Sequence, residues 1–285
     1  MNLPNSVTRV TLPGLAGPLA GLRTEPADVG WDGPPSGDLL LVPGFTGSKE
    51  DFLDVLRPLG ELGWRVTTYD QRGQFESAGP DSHDDYTLDA FAADLLAVVS
   101  SLPGPTHVIG HSFGGVVARQ AAIAEGAAGR IASLVLLCSG PGPVPEVGHE
   151  ALVFMHHQLA VLGLATMYDL QQQYEAAGGS EPVEGEVGDF LRHRYLSNNA
   201  HSLSAMAGHL VWTPDRTAEL AVLAGAGMRV SVVYGELDDA WPIEQQDAVA
   251  AACGTSPIVI AGAGHSPAVD QPAVTAQVLD ALARS

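Results

Sequence analysis

Two hydrophobic rhythms alternate along this chain. Short apolar runs bounded by glycine, proline or polar residues mark strands at 8–12 and 19–23, then near Leu39, Val66, His107 and Leu134. Helical periodicity predicts helices over 51–62, over 88–101 and directly after Ser112, and the same alternation resumes from Val230 to Ala283. Strands separated by helices favour a mostly parallel sheet covered on both faces, the α/β class. One stretch departs from this. After SGPGPVPEVG (139–148) the strand rhythm stops, and helical text runs through ALVFMHHQLAVLGLATMYDLQQQYEA and DFLRHRYLSNNAHSLSAMAGHLVW. A turn-rich connection, EAAGGSEPVEGEVG, joins the two. The pattern predicts a core built from 1–141 and 215–285, with a helical lid inserted at 142–214. Leu152, Phe154, Met155, Leu159, Met167, Leu203, Met206, Leu210 and Trp212 are more apolar side chains than a thin surface layer requires. Most are expected to glue the lid together and to the core, and some to wall a binding site.

The run THVIGHSFGG (106–115) carries the first candidate chemistry. An apolar strand breaks at Gly110, Ser112 follows, and a helix of small residues begins at Phe113. In a GxSxG turn the serine sits between strand and helix, and glycines flank it because a Cβ there would collide with neighbouring backbone. Ser112 is the candidate nucleophile. A serine hydroxyl needs a base, and His265 in SPIVIAGAGHSP (256–267) is the best placed of ten histidines, on a glycine-rich loop after an apolar strand. A carboxylate must then fix the imidazole tautomer. RVSVVYGELDDAWP (229–242) offers Asp238 first, Asp239 second and Glu236 third.

The order Ser112, Asp238, His265 is that of the α/β-hydrolases, and from Asp38 to about Arg284 the chain resembles that superfamily, in particular the group with a lid after the sixth strand. The resemblance implies a mostly parallel eight-stranded sheet with helices on both faces and a helical cap. LLLVPGFTGSKEDF (39–52) resembles the family's third strand and oxyanion loop, which implies that the backbone N–H groups of Phe45 and Phe113 form the oxyanion hole. Pro43 stands where the family usually has a histidine that helps brace the loop. Thr46 and Ser48 are hydroxyls in the same loop, with a turn role expected. RVTTYDQRGQFES (65–77) resembles the segment that braces the site floor, with Phe75 in place of a glycine. There Asp70 and Arg72 are expected to form a structural pair. His111 is expected to be a hydrogen-bonded structural residue. The implied activity is hydrolysis of a small to medium, largely apolar carboxylic ester, lactone or thioester through an acyl-enzyme. The alternatives are C–C bond hydrolysis, perhydrolysis or a lyase step on the same triad, or a noncatalytic receptor on this fold.

At 285 residues the chain can bury about 75 % of its unfolded surface, enough for one large core. Thirty-three acids against 13 bases give a net charge of −20, which repels phosphate backbones and anionic headgroups, so neither nucleic acid nor membrane is an expected partner. A small-molecule substrate is expected; a homo-oligomer stays open. No HExxH, CxxC, Walker or dinucleotide motif occurs, and no metal or cofactor is expected. The two cysteines, Cys138 and Cys253, suggest no disulfide framework. No basic-then-apolar leader and no run of about 18 uncharged apolar residues is evident, so a cytoplasmic protein is expected.

Overall fold

The strand Gly37–Val42 (β3) shows how the sheet is covered. Successive side chains of a strand point to opposite faces, yet Leu39, Leu40, Leu41 and Val42 are all fully buried, so apolar layers lie on both sides. The computed structural model, which describes residues 3–124, 129–179 and 181–285, forms one eight-stranded sheet. Its other strands are Thr8–Leu12 (β1), Leu19–Thr24 (β2), Trp64–Tyr69 (β4), Thr106–His111 (β5), Ile131–Leu137 (β6), Arg229–Gly235 (β7) and Ile258–Ile260 (β8). The spatial order is β1-β2-β4-β3-β5-β6-β7-β8. β1 and β2 run antiparallel to their neighbours, and every later pairing is parallel. This is the mostly parallel, doubly covered sheet expected from the alternation, with the eight strands that the resemblance to the α/β-hydrolases implies.

Helices Leu53–Glu61 (α1), Leu88–Ser101 (α2) and Phe113–Ile123 (α3) fill the first crossovers. A 3-10 turn at Lys49–Phe52 replaces the expected start of α1. After β6 the chain leaves the sheet and forms Glu146–Ala177 (α4), Gly185–Leu196 (α5) and Ala200–Trp212 (α6), before returning through Thr217–Gly225 (α7). Of the turn-rich connection expected at 175–188, α4 and α5 take both ends, and Ser180 lies outside the described residues. Ile243–Ala252 (α8), Pro267–Asp270 (α9) and Pro272–Arg284 (α10) complete the fold. α1 packs with α10, and α2 packs with α3.

The segment Gly148–Ala177 of α4 is long and apolar enough, by length and composition, to cross a membrane. The run expected to be missing was one of about 18 uncharged apolar residues; residues 151–168, between Glu150 and Asp169, carry no acidic or basic side chain but include His156, His157 and Gln158. Met155, Leu159 and Met167 are buried, whereas Phe154, Val161 and Leu162 stay exposed. Cys138 lies one residue past the end of β6 and takes φ 49.

Candidate active site

Parallel strands deliver their C-terminal ends to one edge of the sheet, where ligand sites of open α/β sheets lie. Phe45, Ser112, Asp238 and His265 all follow such ends, after β3, β5, β7 and β8. Ser112 takes φ 53 and ψ −120 between β5 and α3. For a residue with a Cβ this costs about 1–3 kcal/mol and persists only where surroundings enforce it. They do so here. Ser112 N–H donates to Leu137 C=O at 3.0 Å, and Ser139 Oγ donates to Ser112 C=O at 2.9 Å. A Cβ on Gly110 would strike the backbone of Gly114 and Gly115, and one on Gly114 would strike Val42 and Pro43. Both glycines of the motif are therefore steric requirements.

His265 Nδ1 lies 2.7 Å from Asp238 Oδ1. A carboxylate only accepts, so Nδ1 carries the hydrogen and Nε2 presents its lone pair. Asp238 also accepts from Ala240 N–H at 3.2 Å and Gln246 Nε2 at 3.0 Å. Burial, the largest single influence, raises its pKa, but His265, Gln246 and the Ala240 N–H together outweigh it and hold the carboxyl below its usual range. Asp239 is exposed, and Glu236 accepts from Gly262 N–H at 2.9 Å, in the loop that carries His265. Of the three candidate acids, the structure brings Asp238 to the imidazole.

His111 Nε2 lies 2.6 Å from His265 C=O. A carbonyl cannot donate, so His111 bears its hydrogen on Nε2. Burial first, then repulsion from His265, pushes its pKa down to about 4, so the ring is neutral at pH 7. His111 thus ties the elbow strand to the loop of His265, with the two rings 4.9 Å apart. Among the described residues no hydrogen bond joins Ser112 Oγ to His265.

Phe113 is the first residue of α3, so its N–H has no partner within the helix. Phe45 N–H likewise donates to no loop or turn partner among the described residues. Gly44 lies against Ser112: a Cβ there would come within 3.0 Å of Ser112 Cβ. Gln74 Nε2 donates to Gly44 C=O at 2.8 Å, and Gln71 Nε2 donates to Pro43 C=O at 2.9 Å. Gly44 C=O and Phe45 N–H belong to one planar peptide, so fixing the oxygen aims the N–H the opposite way. These two glutamines brace the loop in which Pro43 supplies no side-chain donor. Thr46 Oγ1 donates to Phe45 C=O at 2.7 Å, whereas Ser48 Oγ is buried without a partner among the described residues.

The expected Asp70–Arg72 pair does not form. Asp70 pairs with Lys49, 2.7 Å away, and Arg72 pairs with Asp94 at 2.6 Å. Asp70 lies just past β4 and meets the 3-10 turn after β3, while Arg72, beside the Gly73 turn, reaches α2. Lys49 is fully buried. Burial, its largest influence, lowers its pKa, but Asp70 and Glu76 more than reverse this and keep the ammonium charged.

Side chains of His111, Cys138 and His265 gather within 4.8 Å of one another, a potential ligand group that sequence spacing does not reveal. Each histidine has one ring nitrogen already hydrogen-bonded. Burial raises the Cys138 pKa, leaving a protonated thiol, a poor metal ligand.

A family model described as the alpha/beta hydrolase family matches residues 39–278. A curated protein of Variovorax paradoxus (strain S110), described as "Putative carbamate hydrolase RutD", is 31% identical over 265 residues, covering 88% of this chain and 94% of its own. Among solved structures, a thermophilic esterase from Thermogutta terrifontis superposes with a TM-score of 0.73 at 25% identity, covering 97% of this chain and 98% of its own. The enol-lactonase from Burkholderia xenovorans LB400 superposes with a TM-score of 0.70 at 17% identity, over 94% of this chain and 97% of its own, a likeness of fold alone.

Proposed function

Given that the chain belongs to the α/β-hydrolase family, we propose that it is a serine hydrolase of a small to medium, largely apolar carboxylic ester, lactone or thioester. Ser112 attacks the carbonyl carbon while His265 Nε2 takes the hydroxyl proton. Asp238 holds the imidazole in that tautomer and offsets the charge it gains. The N–H groups of Phe45 and Phe113 receive the developing oxyanion. His265 then protonates the leaving group, and water, activated by the same imidazole, hydrolyses the acyl-enzyme. Proton transfer requires the Ser112 hydroxyl to come within about 3 Å of Nε2. Helices α4–α6 act as the lid, excluding water from the reacting centre.

The observation that carries this reading is the 2.7 Å His265–Asp238 pair, which leaves Nε2 free beside the elbow. A fluorophosphonate probe tests it. Labelling should map to Ser112, disappear in Ser112→Ala and weaken in His265→Ala, with parallel losses on p-nitrophenyl esters. Folded protein that neither labels nor turns over any ester would favour a receptor on this fold.

A further inference from the structure

Trp241 is the bulkiest fully buried side chain among the described residues, although it sits in the loop between β7 and α8. A tryptophan is so large that it is seldom fully buried. What encloses this one is the segment that leaves β6 for the inserted helices. The indole Nε1–H donates to Pro143 C=O at 3.3 Å. A Cβ on Gly140 would overlap the five-membered ring of the indole. Gly140 does not take a positive φ, so the indole, and not the backbone conformation, is what excludes a side chain there.

The same loop holds the proposed catalytic acid. Asp238 Oδ1 accepts from Ala240 N–H at 3.2 Å, which folds the chain back just before Trp241. Gln246, fully buried on α8, then spans the loop: its Nε2 lies 3.0 Å from Asp238 Oδ2 and 3.3 Å from Trp241 C=O, with one hydrogen for each. Gln246 thereby fixes Asp238 relative to the Trp241 backbone, and the indole fixes Trp241 relative to Gly140 and Pro143. The rings of Trp241 and His265 lie 6.4 Å apart. On its other side, the segment 139–143 reaches the elbow. Ser139 Oγ donates to Ser112 C=O at 2.9 Å, and Arg119 Nη1 of α3 donates to Gly140 C=O at 3.0 Å. Where the chain returns from the inserted helices, Arg216 N–H donates to Pro141 C=O at 3.1 Å. One short segment at the root of the insertion therefore contacts the elbow and the acid loop together.

We infer that Trp241 is a positioning residue: keyed against Gly140, its indole sets the loop of Asp238 on the root of the insertion, and through Asp238 it aims the His265 imidazole at Ser112. The inference rests on the serine-hydrolase reading and adds to it a residue that acts only through the acid. Hydrogen bonds weaken steeply as they bend and lengthen, so a small displacement of this loop is felt in the 2.7 Å His265–Asp238 pair. A misplacement of about 1 Å can cost about 100-fold in rate.

Three variants test the coupling, each normalised to the sites titrated by a fluorophosphonate so that unfolded protein drops out. Gly140→Ala pushes on the indole from outside the acid loop. Its kcat per titrated site should fall about 10- to 100-fold, with KM within about 3-fold. Trp241→Phe keeps a buried ring but lacks the Nε1–H and the second ring, and should cost about 3- to 10-fold in kcat. The double variant should lose less than the product of the two single losses, because both act on one contact. Independently of turnover, the Nδ1–H that His265 donates to Asp238 should give a low-field proton resonance, assigned by its loss in Asp238→Asn. That resonance should shift or broaden in Gly140→Ala; where Gly140→Ala does not fold, Trp241→Phe gives the same two readouts. A resonance left unmoved, a kcat per titrated site that stays at the wild-type value, or multiplicative losses in the double variant would overturn the inference. A resonance that moves with Gly140→Ala in a protein that takes no fluorophosphonate and hydrolyses no ester would support the coupling while removing the hydrolase reading.

Discussion

Asp238 and Asp239 are adjacent in sequence, yet only the first is buried and hydrogen-bonded to His265. Asp238→Asn keeps the shape but reverses the tautomer preference of the imidazole. Its kcat should fall by up to about 10⁴-fold, while Asp239→Asn, an exposed change, should stay within a few-fold in the same steady-state assay. Gln74 makes a subtler case, because its amide holds the Gly44–Phe45 peptide, whose N–H is a proposed oxyanion donor. Gln74→Leu should lower kcat by roughly 10- to 100-fold, less than loss of an oxyanion donor itself, with little change in KM. A purely structural role would instead lower the melting temperature and leave kcat per folded molecule unchanged.

Elements were legible in the sequence wherever the signal is local. The elbow could be read because both glycines answer to atoms within a few residues or on the adjoining strand. α2 matches its expected bounds because the apolar stripe and the capping Thr87 are both contained in the run. The bracing of the oxyanion loop was not legible: Gln71 and Gln74 act across 28 and 30 residues, and a glutamine in a loop reads as solvated. Lys49 misleads for the same reason. A lone lysine before a helix looks exposed, but the turn after β3 presses it against Asp70, and only three-dimensional pairing shows which acid it meets. Replacing Lys49 with Met would leave the Asp70 carboxyl buried without its cation. Loss of about 3–5 kcal/mol in urea denaturation is expected.

For the molecule as a whole, buried imidazoles set the acid limit. His107 and His111 both have pKa values pushed down to about 4, chiefly by burial. In the unfolded chain they titrate near 6.5, so between these values the unfolded state binds more protons and stability falls as pH falls. Each contributes a slope of about 1.4 kcal/mol per pH unit within that window and nothing further below it. His83 and His209 shift in the same direction, Asp70, raised to about 7 chiefly by burial, opposes one imidazole over that window, and the lowered Asp238 pKa adds its loss only below the usual aspartate range. Urea midpoints measured from pH 7.5 to 4.5 should decline, and His107→Asn should make the decline shallower. The three inserted helices bear on synthesis as well as on shape. β6 pairs with β7 along 133–137 and 229–233, so on the ribosome the edge of β6 emerges some ninety residues before the strand that covers it. A nascent chain halted within the helices would hold an uncovered, apolar strand edge, a template for aggregation.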